Sequence, residues 1–227
     1  MRKKSGRLVQ IMGIDGSGKT TLAMNLIEEF RKEGIIFEYK WAKFESKLLK
    51  AVIKLKDILI VRETDLKENY RKSSTIKKKL FKNKLLSFLY EQFVIWDYIL
   101  QIILRIKIPL SSGRNILCDR YVHDTVVDLA YDLDYSHKKA QEVLNFLFRF
   151  LPKPDVIIFV DVPEEIAFSR KDDVPSLEFL RRKRELYHAM LKFITTPVIL
   201  VDGTKPIDTL TSEVVSAIKQ RGVLDVR

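Results

Sequence analysis

The chain is poor in the residues that make covalent or metal-held scaffolds. It has a single cysteine, Cys118, in 227 residues. No internal disulfide can form, and a reducing compartment is expected. Its three histidines, His123, His137 and His188, are scattered, and with one cysteine they make no metal cluster. Long charge-free apolar runs are also missing. The most apolar stretch, LLSFLYEQFVIWDYILQIILRIKIPL, is interrupted by Glu91, Gln92, Asp97, Gln101 and Arg105. A membrane span needs about 20 nearly uncharged residues, so this stretch reads as a central core helix. The basic N-terminal MRKKSGRLVQIMG has too short an apolar run for a secretory signal, and a cytoplasmic protein is expected.

What is present suits a globular protein. The residues are 46% hydrophobic and 31% charged, and the length fits one α/β domain, taken here as residues 1–227. The net charge is +11, and residues 40–84 alone hold 15 Lys/Arg against five Asp/Glu. Such a segment can bind nucleic acid, an anionic surface or a phosphorylated small molecule. It can equally be a solvated helical face. Phe44, Tyr70 and Phe81 interleave with it, but no nucleic-acid module accompanies them.

Short apolar runs alternate with helical patterns. RLVQIMGI, IIFEYKWA, RNILCD (Arg114–Asp119), DVIIFVDV (Asp155–Val162) and TPVILVD (Thr196–Asp202) read as five strands. Leu22, Met24, Leu26, Ile27 and Phe30 recur at helical spacing before Gly34. Leu48, Val52, Leu55 and Leu59 mark an amphipathic basic helix, YRKSSTIKKK a polar loop, and Ile207 to Gln220 a last helix. This alternation predicts a parallel five-stranded sheet with helices on both faces.

GIDGSGKTT carries the chemistry. Gly13, Gly18, Lys19 and Thr20 satisfy G-x-x-x-x-G-K-[ST]. Glycines let backbone N–H groups converge on phosphate oxygens, and the following helix adds its positive end. Lys19 is placed to reach the outer phosphates and Thr20 to ligate Mg²⁺. Gly13, Asp15, Gly16, Ser17, Gly18, Lys19, Thr20 and Thr21 form the expected ATP site. The guanine signature N-K-x-D is not met, since NKLL at Asn83 lacks the aspartate. Asp119 is followed by Arg120 and Asp161 by Val162, so neither strand end supplies a water-activating glutamate. Asp161 can be explained as a helix cap, with Pro163 in the first turn and Glu164 folding back. Asp119 has no such structural reading and is the expected metal-side carboxylate.

With GIDGSGKTT, CDRYV, PDVIIFVDVPEEIAFSRK, EFLRRKRELYHAML and VDGT in this order, the chain resembles the thymidylate kinase family of P-loop nucleoside monophosphate kinases. The resemblance implies transfer of the γ-phosphoryl group of MgATP to a nucleoside monophosphate. It implies that Asp15 contacts the acceptor's sugar hydroxyl and Arg120 its phosphate, with Tyr121 beside them, and that Asp119 organises the metal or the acceptor. It places a helical lid at about residues 168–178, an acceptor-binding helical region at about 41–110, and Tyr187 near the acceptor. Arg170 and Lys171 fall in the lid. Lys19 is the loop's only cation, so an extra one must come from elsewhere, and the family offers a lid arginine as one solution. A helix-end role for the pair is the alternative. A homodimer through long apolar helices is also implied.

Three departures fall on the acceptor side. The family's Arg-Glu-Pro stretch is replaced by YKWAKFESKLLK, where Lys40, Lys43 or Lys47 could substitute without arginine's fork. Asp97-Tyr98 stands where the family carries Asp-Arg, leaving Tyr98 as the base-side candidate. Asp128 stands about where the family has an aromatic. A different acceptor within the same kinase fold, or a nucleotide-dependent protein that binds nucleic acid or membrane, are the rival readings. Cys118 is expected to be a buried strand residue. Glu178–Arg182 and Arg181–Glu185 are spaced as ion pairs along one helix.

Overall fold

The computed structural model describes residues 5–43 and 84–222. They fall into two compact units, one of residues 5–43 and 102–222 and the other of residues 84–101. The predicted helix around Leu48–Leu59, the loop at 70–79 and most of the basic segment lie outside the described residues.

The larger unit is built on five parallel strands: β1 (Leu8–Met12), β2 (Phe37–Trp41), β3 (Asn115–Asp119), β4 (Val156–Asp161) and β5 (Val198–Asp202), in the order β2-β3-β1-β4-β5. Every residue of β1 is buried, as a central strand covered on both faces requires. At the β5 edge burial alternates, and Leu200 faces solvent. Register is continuous across the sheet, with Ile11 opposite both Asp119 and Ile158.

The chain leaves β1 through α1 (Lys19–Lys32) and crosses past β3 to β2. It returns from β3 to β4 through α4 (Val122–Leu133) and α5 (His137–Phe150), reached after α2 (Lys84–Ile102) and α3 (Ile108–Ser111). Right-handed crossovers running in opposite directions put these helices on opposite faces. α6 (Glu164–Ser169) and α7 (Leu177–Leu191) link β4 to β5, and α8 (Ile207–Gln220) follows. Accordingly α1 packs with α8, and α4 with α5 and α7. Phe30 meets Phe37 at 5.2 Å on one side, and Phe159 stacks on Tyr187 at 5.8 Å on the other. The direction of winding reverses at β1, which opens a crevice beyond the carboxyl ends of β1, β3 and β4.

Several local expectations meet a different outcome. Asp161 does not cap α6: Pro163 is the N-cap residue, with no side-chain cap. Asp161 instead takes both Nε (2.7 Å) and a terminal nitrogen (3.0 Å) of Arg184, and His188 Nε2 at 3.1 Å. The ion pairs on α7 close at i,i+3, Arg181 with Glu178 and Arg182 with Glu185. In the smaller unit, α2 is not buried all round. Val94, Ile95, Tyr98 and Ile99 are buried, whereas Phe88, Leu89, Trp96 and Leu100 are exposed. Among the described residues no helix is long and apolar enough to cross a membrane.

Gly16 holds the phosphate loop against α6. A Cβ there would lie 2.2 Å from the Ala167 carbonyl oxygen, and its φ of 83° is in the left-handed region. Gly16→Ala should therefore cost about 2 kcal/mol or more, a Tm lower by roughly 4 °C or more. Thermal unfolding without nucleotide checks this; an unchanged Tm would mean that the loop does not need to approach α6 so closely.

Candidate active site

The phosphate loop, residues 13–20, joins the end of β1 to the start of α1. Gly18 precedes the helix at φ 86°, and no side chain caps it, so the first N–H groups of α1 keep their donors for an anion. Lys19 is buried. Its ammonium donates to the Ile14 carbonyl and to Ser17 Oγ, the latter at 3.1 Å. Burial, with Arg120 nearby, pushes its pKa down to about 7 against the pull of Asp15, Asp124 and Asp119.

Asp119 ends β3 beside the loop. The Thr20 hydroxyl donates to its Oδ2 at 2.5 Å, and the Tyr39 hydroxyl from β2 donates to the same oxygen at 3.1 Å. Burial and Asp119 raise the Tyr39 phenol to about 12, so it stays a donor. Oδ1 of Asp119 is buried with no hydrogen-bond partner among the described residues. An orphaned carboxylate oxygen next to a loop hydroxyl fits a hard divalent cation, which takes oxygen ligands. No group of three or more His, Cys, Asp or Glu suited to a metal occurs among the described residues.

One residue on, Arg120 adopts φ 68°, rare for a residue with a side chain. Its N–H bonds to the Ile11 carbonyl at 3.0 Å, so the chain stays tied to β1 while the side chain turns inward. The guanidinium is almost fully buried and bonds to Asp15 of the loop, with Asp124 at 3.5 Å. Burial raises the Asp15 carboxyl, but Arg120, Lys43, Lys19 and Lys183 together hold it well below the usual carboxylate range. Asp124 is wholly buried. It accepts from Tyr187 (2.6 Å), Gln10 Nε2 (3.1 Å) and the Tyr121 N–H (3.1 Å), and Gln10 Oε1 meets His123 Nδ1 at 2.7 Å. Burial raises the Asp124 carboxyl, against Arg120 and Tyr187. One turn further along α4, Asp128 pairs with Lys183 of α7 and faces Lys43 at 3.8 Å.

Comparison with known proteins settles what this arrangement belongs to. The family model described as thymidylate kinase matches residues 11–214. The chain belongs to the thymidylate kinase family. It is 24% identical over 224 residues to the thymidylate kinase of Caldanaerobacter subterraneus subsp. tengcongensis, covering 95% of this chain and 96% of that protein. A probable thymidylate kinase of Pyrococcus abyssi is 25% identical over 94% of this chain and 96% of its own length. The thymidylate kinase of Legionella pneumophila is 24% identical over 97% of each. Family membership makes this kinase a nucleoside monophosphate kinase, a transferase with ATP as co-substrate.

The residues anticipated from sequence are only partly gathered in this kinase. Gly13, Asp15, Gly16, Ser17, Gly18, Lys19, Thr20, Asp119 and Arg120 share one cluster; Thr21 is exposed on the first turn of α1. Tyr121 is not in the cluster: its side chain is buried and its hydroxyl donates to the Pro152 carbonyl at 3.0 Å. Arg170 donates to the Gly203 carbonyl at 2.9 Å, and Lys171 is the lid residue facing Asp15, at 3.9 Å. The loop between them and α7 is not helical; α7 starts at Leu177, after Ser176 accepts from the Phe179 N–H. Of the three lysine substitutes, Lys40 pairs with Glu38, Lys43 reaches Asp128, and Lys47 lies outside the described residues. Tyr98 is buried on α2, in the other unit. Sequence reasoning missed Tyr39, Asp124 and Lys183. The available signal was a pair of matching four-residue spacings, Asp124/Asp128 and Lys183/Tyr187.

Phosphate arriving at Lys19 restores an anionic partner and so raises its pKa. Above about pH 7 the free enzyme holds this lysine largely neutral and the complex holds it charged. Nucleotide binding should then take up close to one proton near pH 8, and affinity should fall as pH rises from 7 to 9. Calorimetry of ATP binding in buffers of different ionisation enthalpy measures the uptake. Lys19→Met should abolish it; uptake that survives this substitution would assign the proton elsewhere.

Proposed function

We propose that this kinase transfers the γ-phosphoryl group of ATP to the phosphate of a nucleoside monophosphate, with thymidine monophosphate as the family's default acceptor. The observation that carries the reading is the Asp15–Arg120 ion pair. It sets a phosphate-binding loop against a second, buried guanidinium, so two phosphate binders abut in one crevice. In the reaction the acceptor phosphate oxygen forms a bond to the γ-phosphorus as the bond to the β–γ bridging oxygen breaks, giving ADP and a nucleoside diphosphate.

Each role follows from charge and position. Lys19 meets the charge on the transferred group. Arg120 offers a planar fork to the acceptor phosphate, with Lys43 as a second cation on that side. Asp15 orients Arg120 and is placed to accept from the acceptor's sugar hydroxyl. Lys171, and Arg170 once its carbonyl contact is exchanged, supply cations from the 168–178 lid. Thr20 and Asp119 would hold Mg²⁺, which when bound neutralises charge on the donor phosphates.

The test is turnover of MgATP against a panel of nucleoside monophosphates and unphosphorylated nucleosides. Lys19→Ala should lower kcat by two or more orders of magnitude with the fold intact. Arg120→Ala should raise the acceptor KM more than the ATP KM. A rise confined to the ATP KM would reverse the assignment of sides, and ATP hydrolysis indifferent to every acceptor would remove the kinase reading.

The same proposal includes a cytoplasmic homodimer. The exposed Phe88, Leu89 and Leu100 on α2 support it, since apolar side chains on a helix surface seek cover. Leu89→Glu with Leu100→Glu should convert a dimer to a monomer in sedimentation velocity; a wild-type chain that sediments as a monomer would end the idea.

A further inference from the structure

Helices α4 and α7 are joined by two side-chain rungs. In the first, Tyr187 donates to Asp124, which also faces Arg120. In the second, one turn along both helices, Lys183 donates to Asp128 Oδ1. The second rung is hard to justify as a fastening. The Lys183 side chain is only 6% exposed and that of Asp128 24%, and an apolar pair of similar volume usually stabilises such a position at least as well as buried ions.

The rung also has unused capacity. Asp128 Oδ2 faces Lys43 at 3.8 Å, beyond hydrogen-bond reach, and no donor reaches it among the described residues. A carboxylate has about four lone-pair sites and an ammonium three donors. Lys183 gives one N–H to Asp128 Oδ1 and lies over the Phe179 ring at 4.5 Å, which leaves it a further N–H, so the rung presents one acceptor beside one donor. It lies on the acceptor side of the crevice, one turn along α4 from Asp124, which faces Arg120, and one turn along α7 from Tyr187, which donates to Asp124. Four residues along a helix is roughly 6 Å. A nucleotide whose phosphate sits on Arg120 must extend its sugar and base away from that anchor, and the second rung lies beyond it along α4.

We propose that Asp128 and Lys183 together read the base edge of the acceptor. Asp128 Oδ2 accepts a ring N–H or amino hydrogen, and Lys183 donates to the adjacent carbonyl or ring nitrogen. This rests on the nucleoside monophosphate reading above, and it names the acceptor class as one whose base presents a donor next to an acceptor. Against burial, which raises the Asp128 carboxyl, Lys183 and then Lys43 hold it below its ordinary range, and so keep the acceptor half of the pair available.

The test compares kcat/KM for thymidine monophosphate with that for its N3-methyl derivative, which has lost the ring N–H. The wild-type chain should favour the unmodified nucleotide by about tenfold or more, the value of one well-placed hydrogen bond in a water-poor site. Asp128→Leu combined with Lys183→Met removes both charges together and strands neither. In that variant the ratio should fall to within about threefold of one, while the KM for ATP stays at its wild-type value. Should the apolar pair fail to fold, the charge-swapped pair Asp128→Lys with Lys183→Asp keeps an ion pair, removes the carboxylate from position 128, and should lose the ratio equally. A ratio that survives in the folded variant, or a wild-type chain that does not discriminate, overturns the base-reading role alone. A wild-type chain that phosphorylates no nucleoside monophosphate overturns the acceptor reading itself, and this inference with it.

Discussion

Everything on the acceptor side depends on keeping Arg120 charged and nearly dry. A guanidinium does not give up its proton in a protein, so burying one demands carboxylates in fixed places. Asp15 and Asp124 meet that demand. They come from different elements, the loop after β1 and the first turn of α4. Removing one partner of a buried pair typically costs about 3–5 kcal/mol, because the other charge is stranded. The left-handed backbone of Arg120 adds strain that the surroundings must hold in place. The loop, β3, α4 and, through Tyr187, α7 are therefore locked by one charge.

That lock explains why polar groups run so deep below the crevice. Asp124 faces Arg120 at 3.5 Å, and it also accepts from Gln10 and Tyr187, and Gln10 continues to His123. A buried carboxylate has more lone pairs than one arginine can occupy, and each unfilled one costs desolvation. Gln10 stands in the middle of an otherwise apolar β1 and is fully buried. It is the residue that lets the sheet supply a donor where an all-aliphatic strand could not. Burial holds His123 at a pKa of about 3, so it stays neutral and the chain carries no further charge under the sheet.

The parts legible in the sequence are those fixed by local backbone. A buried parallel strand must be an apolar run, and a phosphate loop must put glycines at set positions, so β1, the loop and α1 could be read directly. The last helix was found at Ile207–Gln220 for the same reason. Asp119 could be singled out because no local structural task accounts for it. Asp161 was misread because its partner is Arg184, 23 residues away. A local cap was available to the eye, but a bidentate ion pair from α7 held the side chain elsewhere. Tyr121 was placed with Arg120 because the two are adjacent. The turn made by Arg120 sends neighbouring side chains in different directions, and Tyr121 goes into the core. The apolar face of α2 could not be separated from a core helix, because an exposed apolar face and a buried one share the same composition.

The contrast between the two halves of the crevice has one physical origin. Donor phosphates are the same in every reaction of this type, so a backbone cradle with one lysine and one hydroxyl suffices, and its spacing along the chain cannot vary. On the proposed reading the acceptor is held by side chains from α4, α7 and the stretch after β2, which are joined only through tertiary contacts. There a residue can change identity if another changes with it. An aspartate alone at position 128 would be a buried, uncompensated charge, and a lysine alone at 183 would be the same. Together they cancel, and Lys43 shares the carboxylate. A compensated pair of this kind leaves the backbone untouched while altering what the crevice offers to a ligand. The fold can therefore keep its chemistry and revise its acceptor, and only the first is plain in the sequence, because the two halves of the pair stand 55 residues apart and meet through a tertiary contact.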